Sequence, residues 1–206
     1  MTDSRFTKNS NTMLGVILCG GKSTRMGSDK GLLKLEAKTW AQTAVDKLAT
    51  LQIPTTISIN KNQYNDYAAV FPPSDLITDN EMLQLRGPLV GTLSTHLRYP
   101  DEDIFLLGCD MPLMEPFLLK ELLQSYQSDP LADAFVFTND GEPEPLCGIY
   151  KASGLAAVLA MYHSQQLTKH SMKFMLYHIR MFAIPIAEEN KKFFRNFNAH
   201  AELNGL

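Results

Sequence analysis

Residues Gly15–Leu35 read GVILCGGKSTRMGSDKGLLKL, and this stretch decides the fold. It begins inside an apolar run, Met13–Cys19, which is short and stops abruptly at glycine, as a buried strand does. Gly20 and Gly21 follow, then a small polar segment with Lys22, Ser23, Thr24, Arg25, Gly27, Asp29 and Lys30, before apolar residues return at Leu32 and Leu33. A strand that runs into paired glycines and cations suits a polyanion. The glycines let backbone approach a ligand and expose N–H groups, Arg25 can fork onto two phosphate oxygens, and Lys30 supplies a point charge. The same composition also suits a plain glycine-rich turn with solvated cations. Two familiar phosphate loops are excluded. There is no G-x-G-x-x-G, and a Walker A loop needs glycine five residues before Gly21-Lys22-Ser23, where Val16 stands; Gly15 is one residue too early.

Outward from this loop, the chain alternates strands and helices. Trp40–Leu51 has apolar residues at helical spacing (Trp40, Ala44, Val45, Leu48, Leu51). Pro54 introduces a β-branched strand, Thr55–Asn60, followed by a weakly signalled helix near Gln63–Val70. Leu76–Thr78 is a short strand ending at Asp79, and Asn80–Gly87 reads as a loop. Pro88 suits a first helical position, and the helix continues through Leu97. Asp103–Cys109 is a second strong strand, ending at Asp110, and Met111-Pro112 turns it into a helix over Glu115–Tyr126. Ala134–Thr138 and Leu146–Tyr150 are strands flanking the turn Asn139-Asp140-Gly141. Helices over Gly154–His163 and Ser171–Tyr177, with Ser171 as N-cap, a strand over Met181–Ile186 and a final helix over Ala199–Leu203 complete the chain. This alternation predicts an α/β fold with a mainly parallel central sheet and helices on both faces. Ligands then bind beyond the carboxyl ends of the strands, which gathers Leu18–Lys30, Asn60, Asp79 and Cys109-Asp110 on one edge.

Bulk properties bound the function. The 206 residues carry a formal net charge of −3, 45% hydrophobic and 20% charged residues, which fits a globular protein and gives no basic surface for nucleic acid. No apolar run approaches the ~20 residues a membrane span needs. The polar segment Met1–Thr12 lacks the apolar centre of a signal peptide and reads as a flexible tail before a single domain over 13–206. Cys19, Cys109 and Cys147 lie in apolar segments, as reduced thiols of a cytoplasmic protein do.

Asp110 ends a buried strand, where a carboxylate can hold Mg²⁺ beside substrate phosphates or simply cap the next helix. Asp79 can accept hydrogen bonds from a base or ribose, or cap a turn. The histidines (His96, His163, His170, His178, His200) have no metal-ligand spacing, and no Ser-His-Asp set is evident.

The pattern L-x-G-G-x-S-x-R-M-G-x-D-K-G-L-L at Leu18–Leu33 resembles the signature loop of the MobA-like nucleotidyltransferases. The likeness continues in order along the chain. Arg86–Gly91 resembles the family's G-P-L-x-G helix start, and Gly108–Pro112 its C-D-x-P metal segment. Glu144–Tyr150 resembles its P-L-x-x-x-Y strand and Asn196–Asn198 its N-x-N. The resemblance implies a Rossmann-like three-layer α/β/α fold of the nucleotide-diphospho-sugar transferase type. It implies Mg²⁺-dependent transfer of GMP from GTP to the terminal phosphate of molybdopterin, with pyrophosphate released. By the same resemblance Leu18, Cys19, Gly20 and Gly21 would lie against the nucleoside, and Lys30 with Arg25 would hold the triphosphate. Asn60 and Asp79 would contact the nucleoside, Asp110 would bind Mg²⁺, and Asn198 would assist on the metal side. Protein partners from the same cofactor pathway, or chaperones of molybdoenzymes, are expected too.

The related cytidylyltransferases tend to have L-A-A-G in this loop, so Leu18-Cys19-Gly20-Gly21 resembles the guanylyl type, with Gly20 leaving room for a purine. Two departures fall on the acceptor side. Ala199-His200 follows Asn198 in place of the family's Thr-Pro, and Gln165–Phe174 offers Lys169, His170 and Lys173 in place of an arginine-rich patch. A relative using CTP or a sugar-phosphate acceptor, and a non-catalytic nucleotide-binding protein, are the alternatives. Retention of Arg25, Lys30 and Asp110 argues against the second.

Overall fold

The computed structural model describes residues 13–20, 29–35 and 37–197. The expected tail at 1–12 and the expected final helix at Ala199–Leu203 lie outside them.

The elements follow the alternation read from the sequence. In chain order they are β1 (Met13–Leu18), β2 (Lys34–Leu35), β3 (Lys38–Thr39), α1 (Trp40–Ala49), β4 (Thr55–Ile59), α2 (Tyr64–Ala68), β5 (Leu76–Thr78) and α3 (Pro88–Arg98). Then come β6 (Asp103–Gly108), α4 (Pro116–Ser128), β7 (Ala134–Asn139), β8 (Glu142–Tyr150), α5 (Ala152–His163), α6 (Met172–Leu176) and β9 (Met181–Pro185). Among the described residues the main sheet has 7 strands in the order β5-β4-β1-β6-β8-β7-β9. It is parallel except for β8, which runs antiparallel to both β6 and β7.

The reason is visible in the strands. A parallel sheet covered on both faces needs strands that are apolar on both sides, and β6 is buried at every residue. Alternate residues feed two cores. Ile17, Ile57, Phe105, Leu107 and Phe135 pack with Leu48 of α1 and Leu118, Leu119 and Leu122 of α4. Val16, Leu18, Ile104, Leu106 and Val136 pack with Leu89 and Leu93 of α3, Leu155 of α5 and Met175 of α6. Helices cover both faces, as the sequence predicts.

The helix ends obey local chemistry. In α1, Thr39 Oγ1 accepts from Gln42 N at 3.1 Å while Gln42 Oε1 accepts from Thr39 N at 2.9 Å, a reciprocal cap. Ser171 caps α6 as expected, accepting from Phe174 N at 3.1 Å. Asp103 closes the edge opposite the site. Nearly fully buried, it accepts from Tyr126 Oη at 2.6 Å and from Ala152 N at 2.8 Å.

Two features differ from the reading. The strand expected at Leu146 begins at Glu142. Pro143 and Pro145 hid its first half, since proline is a poor ladder member. These residues pair with β7 alone, and β6 joins only from Cys147. A tight turn with Asp140 at φ 51° and Gly141 at φ 85° makes that pairing immediate. The small ribbon β2–β3 was also unread; elements of two residues leave no periodicity to detect.

Candidate functional site

The register of the three central strands sets the site. Leu18, the last residue of β1, lies opposite Ser58 of β4 on one side and Gly108 of β6 on the other. The ladder runs one bond further on each flank. Cys19 N donates to Ser58 O at 2.9 Å, Cys109 N to Leu18 O at 3.1 Å and Asp79 N to Ile59 O at 2.9 Å. Leu18–Gly20, Asn60, Asp79 and Asp110 are thereby brought to one edge, as the strand-end rule predicts.

On the β4–β5 flank a cavity of about 730 Å³ opens between the strand ends and the start of α3. Leu18, Gly20, Ser58, Asn60, Asp79, Arg86, Pro88 and Gly91 are among its walls. The volume is that of a small-molecule site. Inside, Ser58 Oγ and Asp79 Oδ1 are buried without a hydrogen-bond partner among the described residues. An unpaired buried polar atom is costly, so two of them in one cavity mark where ligand groups belong. Burial raises the Asp79 carboxyl to about 6, because the charged form loses water. Gly91 keeps the cavity open. A Cβ there would lie 2.5 Å from Ser58 Oγ and 3.0 Å from Leu18 Cδ2, so α3 approaches β1 and β4 as closely as it does only because residue 91 has no side chain. Across the mouth, Lys61 and Glu81 form an exposed ion pair at 2.8 Å, worth little in water.

On the β6 flank the chemistry is different. Asp110 is half-buried; burial raises its carboxyl and the Lys30 ammonium opposes the rise. Phe197 N donates to Asp110 O at 2.8 Å, which ties the last described residue to the turn after β6. Neither Lys30 nor Asp110 is among the cavity-lining residues. Among the described residues no group of three or more His, Cys, Asp or Glu could hold a metal by itself. A lone carboxylate does fit Mg²⁺, which keeps waters and substrate phosphates in its shell. Gly108 lets that carboxylate fold over the end of β6, since a Cβ there would sit 2.8 Å from Asp110 Oδ1.

Each residue singled out from the sequence can be located. Leu18, Gly20, Asn60 and Asp79 line the cavity, and Lys30 lies close enough to Asp110 for its charge to act on that carboxyl. Cys19 contributes backbone only. Its side chain is buried in the core under α1 and α4, near Cys109, whose thiol is pushed up by the Cys19 thiol and by burial. Gly21, Arg25 and Asn198 lie outside the described residues. The three cysteines are all buried and free, in line with the expectation of reduced thiols. No helix is long and apolar enough to cross a membrane among the described residues.

Sequence reading missed Ser58, Gln63 and Tyr67, and met Gly91 only as the last glycine of the G-P-L-x-G resemblance. For Gln63 a signal existed: Asn60 and Gln63 stand at capping-box spacing, and the structure shows that box formed. Ser58 carries no local signal, because its role arises where two distant segments touch.

A mainly parallel α/β sheet with a nucleoside-sized cavity at its strand ends, flanked by a cation and a lone carboxylate, defines a nucleotidyltransferase. The comparisons agree. A family model described as the MobA-like NTP transferase domain matches residues 15–178, and the chain belongs to that family. A probable molybdenum cofactor guanylyltransferase of Flavobacterium johnsoniae is 28% identical over 195 residues, 95% of this chain and 96% of that one. A molybdenum cofactor guanylyltransferase of Campylobacter jejuni is 28% identical over 91% of each chain. Among solved structures, molybdopterin-guanine dinucleotide biosynthesis protein A from Archaeoglobus fulgidus superposes with a TM-score of 0.73 at 19% identity, covering 94% of this chain and 96% of that one. CMP:2-keto-3-deoxy-manno-octonic acid synthetase, solved with CTP, superposes at 0.66 with 13% identity, covering 94% and 96%. These two likenesses speak to the fold.

Proposed function

We propose that the protein transfers GMP from GTP to the terminal phosphate of molybdopterin, forming the guanine dinucleotide cofactor and releasing pyrophosphate. The observation that carries the reading is the pair of unpartnered polar groups in the strand-end cavity, the Asp79 Oδ1 acceptor and the Ser58 hydroxyl, with Lys30 and Asp110 close to one another at the same edge of the sheet. Guanine presents adjacent N1–H and N2–H₂ donors, which a carboxylate can accept together. Cytosine presents one exocyclic amine beside an acceptor nitrogen and would leave a carboxylate oxygen unsatisfied. The names of the relatives support the same acceptor and base.

In this reading Leu18, Gly20, Gly21 and Asn60 hold the nucleoside, with Asp79 on the base edge. Cys19 acts through its backbone, not its thiol. Lys30 and Arg25 hold the triphosphate. Asp110, with Asn198, would hold Mg²⁺, which when bound supplies charge neutralisation on the transferred and leaving phosphates. The acceptor phosphate, already ionised at neutral pH, forms the new P–O bond to the α-phosphorus. The bond from that phosphorus to the β-phosphate oxygen breaks, and its electrons leave with pyrophosphate. Such a step needs positioning and fixed charge more than a protein nucleophile or base.

The test is incubation with GTP, Mg²⁺ and molybdopterin, followed by assay of pyrophosphate and of the dinucleotide product. Appearance of both supports the reading. Equal turnover with CTP would overturn the guanine assignment, and GTP binding without pyrophosphate release would overturn the activity.

A further inference from the structure

The segments assigned to the nucleotide meet at one side chain that the reading above does not use. Gln63 is 8% exposed and closes the single turn Lys61–Gln63 that follows Asn60. Its amide reaches three segments. Oε1 accepts from Asn60 N at 2.7 Å. Nε2 donates to Cys19 O at 3.0 Å and also to Asp29 Oδ2. A backbone N–H faces one end of the amide, and a carbonyl and a carboxylate face the other, so the orientation is fixed by its partners. Both amide protons are used.

Asp29 carries the connection onward. Its Oδ1 accepts from Gly31 N at 2.9 Å and from Tyr67 Oη at 2.8 Å. Lys30 therefore sits between two residues pinned to one carboxylate, which is pinned in turn to Gln63 and Tyr67. A lysine ammonium rides on a flexible four-carbon stem, so its value to a phosphate depends on where the backbone holds it.

We infer that Gln63 is a positioning residue that couples the base-binding and phosphate-binding halves of the nucleotide site. One amide fixes the Cys19 carbonyl and the Asn60 N–H on the nucleoside side and, through Asp29, the seat of Lys30 on the phosphate side. The inference rests on the nucleotide-binding reading given above. A merely structural Gln63 would lower thermal stability and weaken all binding alike. A coupling Gln63 makes the contribution of Lys30 depend on residue 63.

The experiment is a double-mutant cycle on GTP affinity by titration calorimetry, with the wild type, Lys30→Met, Gln63→Met and the double variant. Lys30→Met is expected to weaken binding about 10-fold in the wild type, the scale of one charge-assisted bond, and at most about 2-fold when Gln63 is already Met. Equal losses in both backgrounds overturn the coupling while leaving the nucleotide reading intact. A wild type that binds no GTP overturns that reading, and the coupling with it. A second pair covers a failure of Gln63→Met to fold. Gln63→Glu sets a carboxylate against Asp29, and adding Asp29→Asn restores a donor between them. Asp29→Asn is expected to weaken GTP binding in the wild type but to strengthen it at least about 3-fold in Gln63→Glu, with parallel recovery of the melting temperature. The same change in both backgrounds overturns the proposal.

Discussion

The two flanks of β1 end in different chemistry. Toward β4 and β5 the strand ends enclose a cavity whose unpaired polar groups are the Ser58 hydroxyl and the Asp79 Oδ1 acceptor. Toward β6 they present a half-buried carboxylate, Asp110, opposed by Lys30. The first flank is arranged for hydrogen-bond readout and is largely complete in the protein alone. The second is arranged for charge, and on the function proposed above its single carboxylate would act together with substrate phosphates and a cation. The difference predicts that changes to the Asp110 carboxylate and its turn act on rate, and changes on the β4–β5 flank act on affinity and base choice, while Lys30, which grips substrate phosphate, adds to affinity.

The largest effect tests the charged flank. Asp110→Ala should lower turnover by about 10²–10³-fold or more, the scale for loss of one preorganised charge stabiliser. GTP affinity measured without Mg²⁺ should change by only a few fold. Steady-state pyrophosphate release and calorimetric titration separate the two. A variant that binds poorly yet turns over normally at saturation would break the division between flanks.

Next comes the readout flank. Asp79→Asn should weaken GTP binding by about 10–100-fold, as expected when a charge-assisted pair is lost, with little change in CTP binding or in kcat at saturation. The pH dependence follows from burial. The Asp79 carboxyl is raised from 3.8 to about 6 in the folded protein, so it takes up a proton as pH falls through 6, and the protonated form cannot accept two donors at once. GTP affinity should fall between about pH 7.5 and 5.5 in the wild type, and Asp79→Asn should lack that part of the fall. For stability the sign is opposite to that of an ion-paired carboxyl: burying the ionised form disfavours folding, so the Asp79 contribution worsens as pH rises from 3.8 to about 6.

How much of this was legible in the sequence follows the same division. The strand ends were legible, because buried parallel strands read as continuous apolar runs that stop at a glycine or an aspartate. Leu18, Asn60, Asp79 and Asp110 could therefore be named. The sheet was legible apart from the first half of β8, where Pro143 and Pro145 masked a strand that has only one ladder partner there. The supports of the site were not. Ser58 is one β-strand residue among several, and Gly91 closes the G-P-L-x-G resemblance; the packing role of each appears only where α3 crosses β4. The Asp29–Gln63–Tyr67 cluster joins residues 34 and 38 positions apart, a separation that no local period encodes.

The smallest prediction concerns another such support, on the charged flank. Lys47 of α1 donates through Nζ to Pro112 O at 2.5 Å, bracing the turn that follows Asp110. Burial lowers its ammonium from 10.5 to about 8, with the Glu115 charge opposing. An ammonium that releases its proton at lower pH when folded disfavours folding below about 8, and that burden lifts as pH rises toward 10.5. The buried thiols Cys109 and Cys147 push the other way at alkaline pH, since each holds its proton more tightly when folded. The Lys47 contribution is therefore read as a difference. Relative to Lys47→Met, wild-type stability in denaturant titrations should improve between pH 8 and 10. At neutral pH, Lys47→Met should lower kcat by about 2–5-fold through a looser Asp110 turn, with GTP affinity unchanged. A loss of affinity instead would place Lys47 with the readout flank and redraw the boundary between the two.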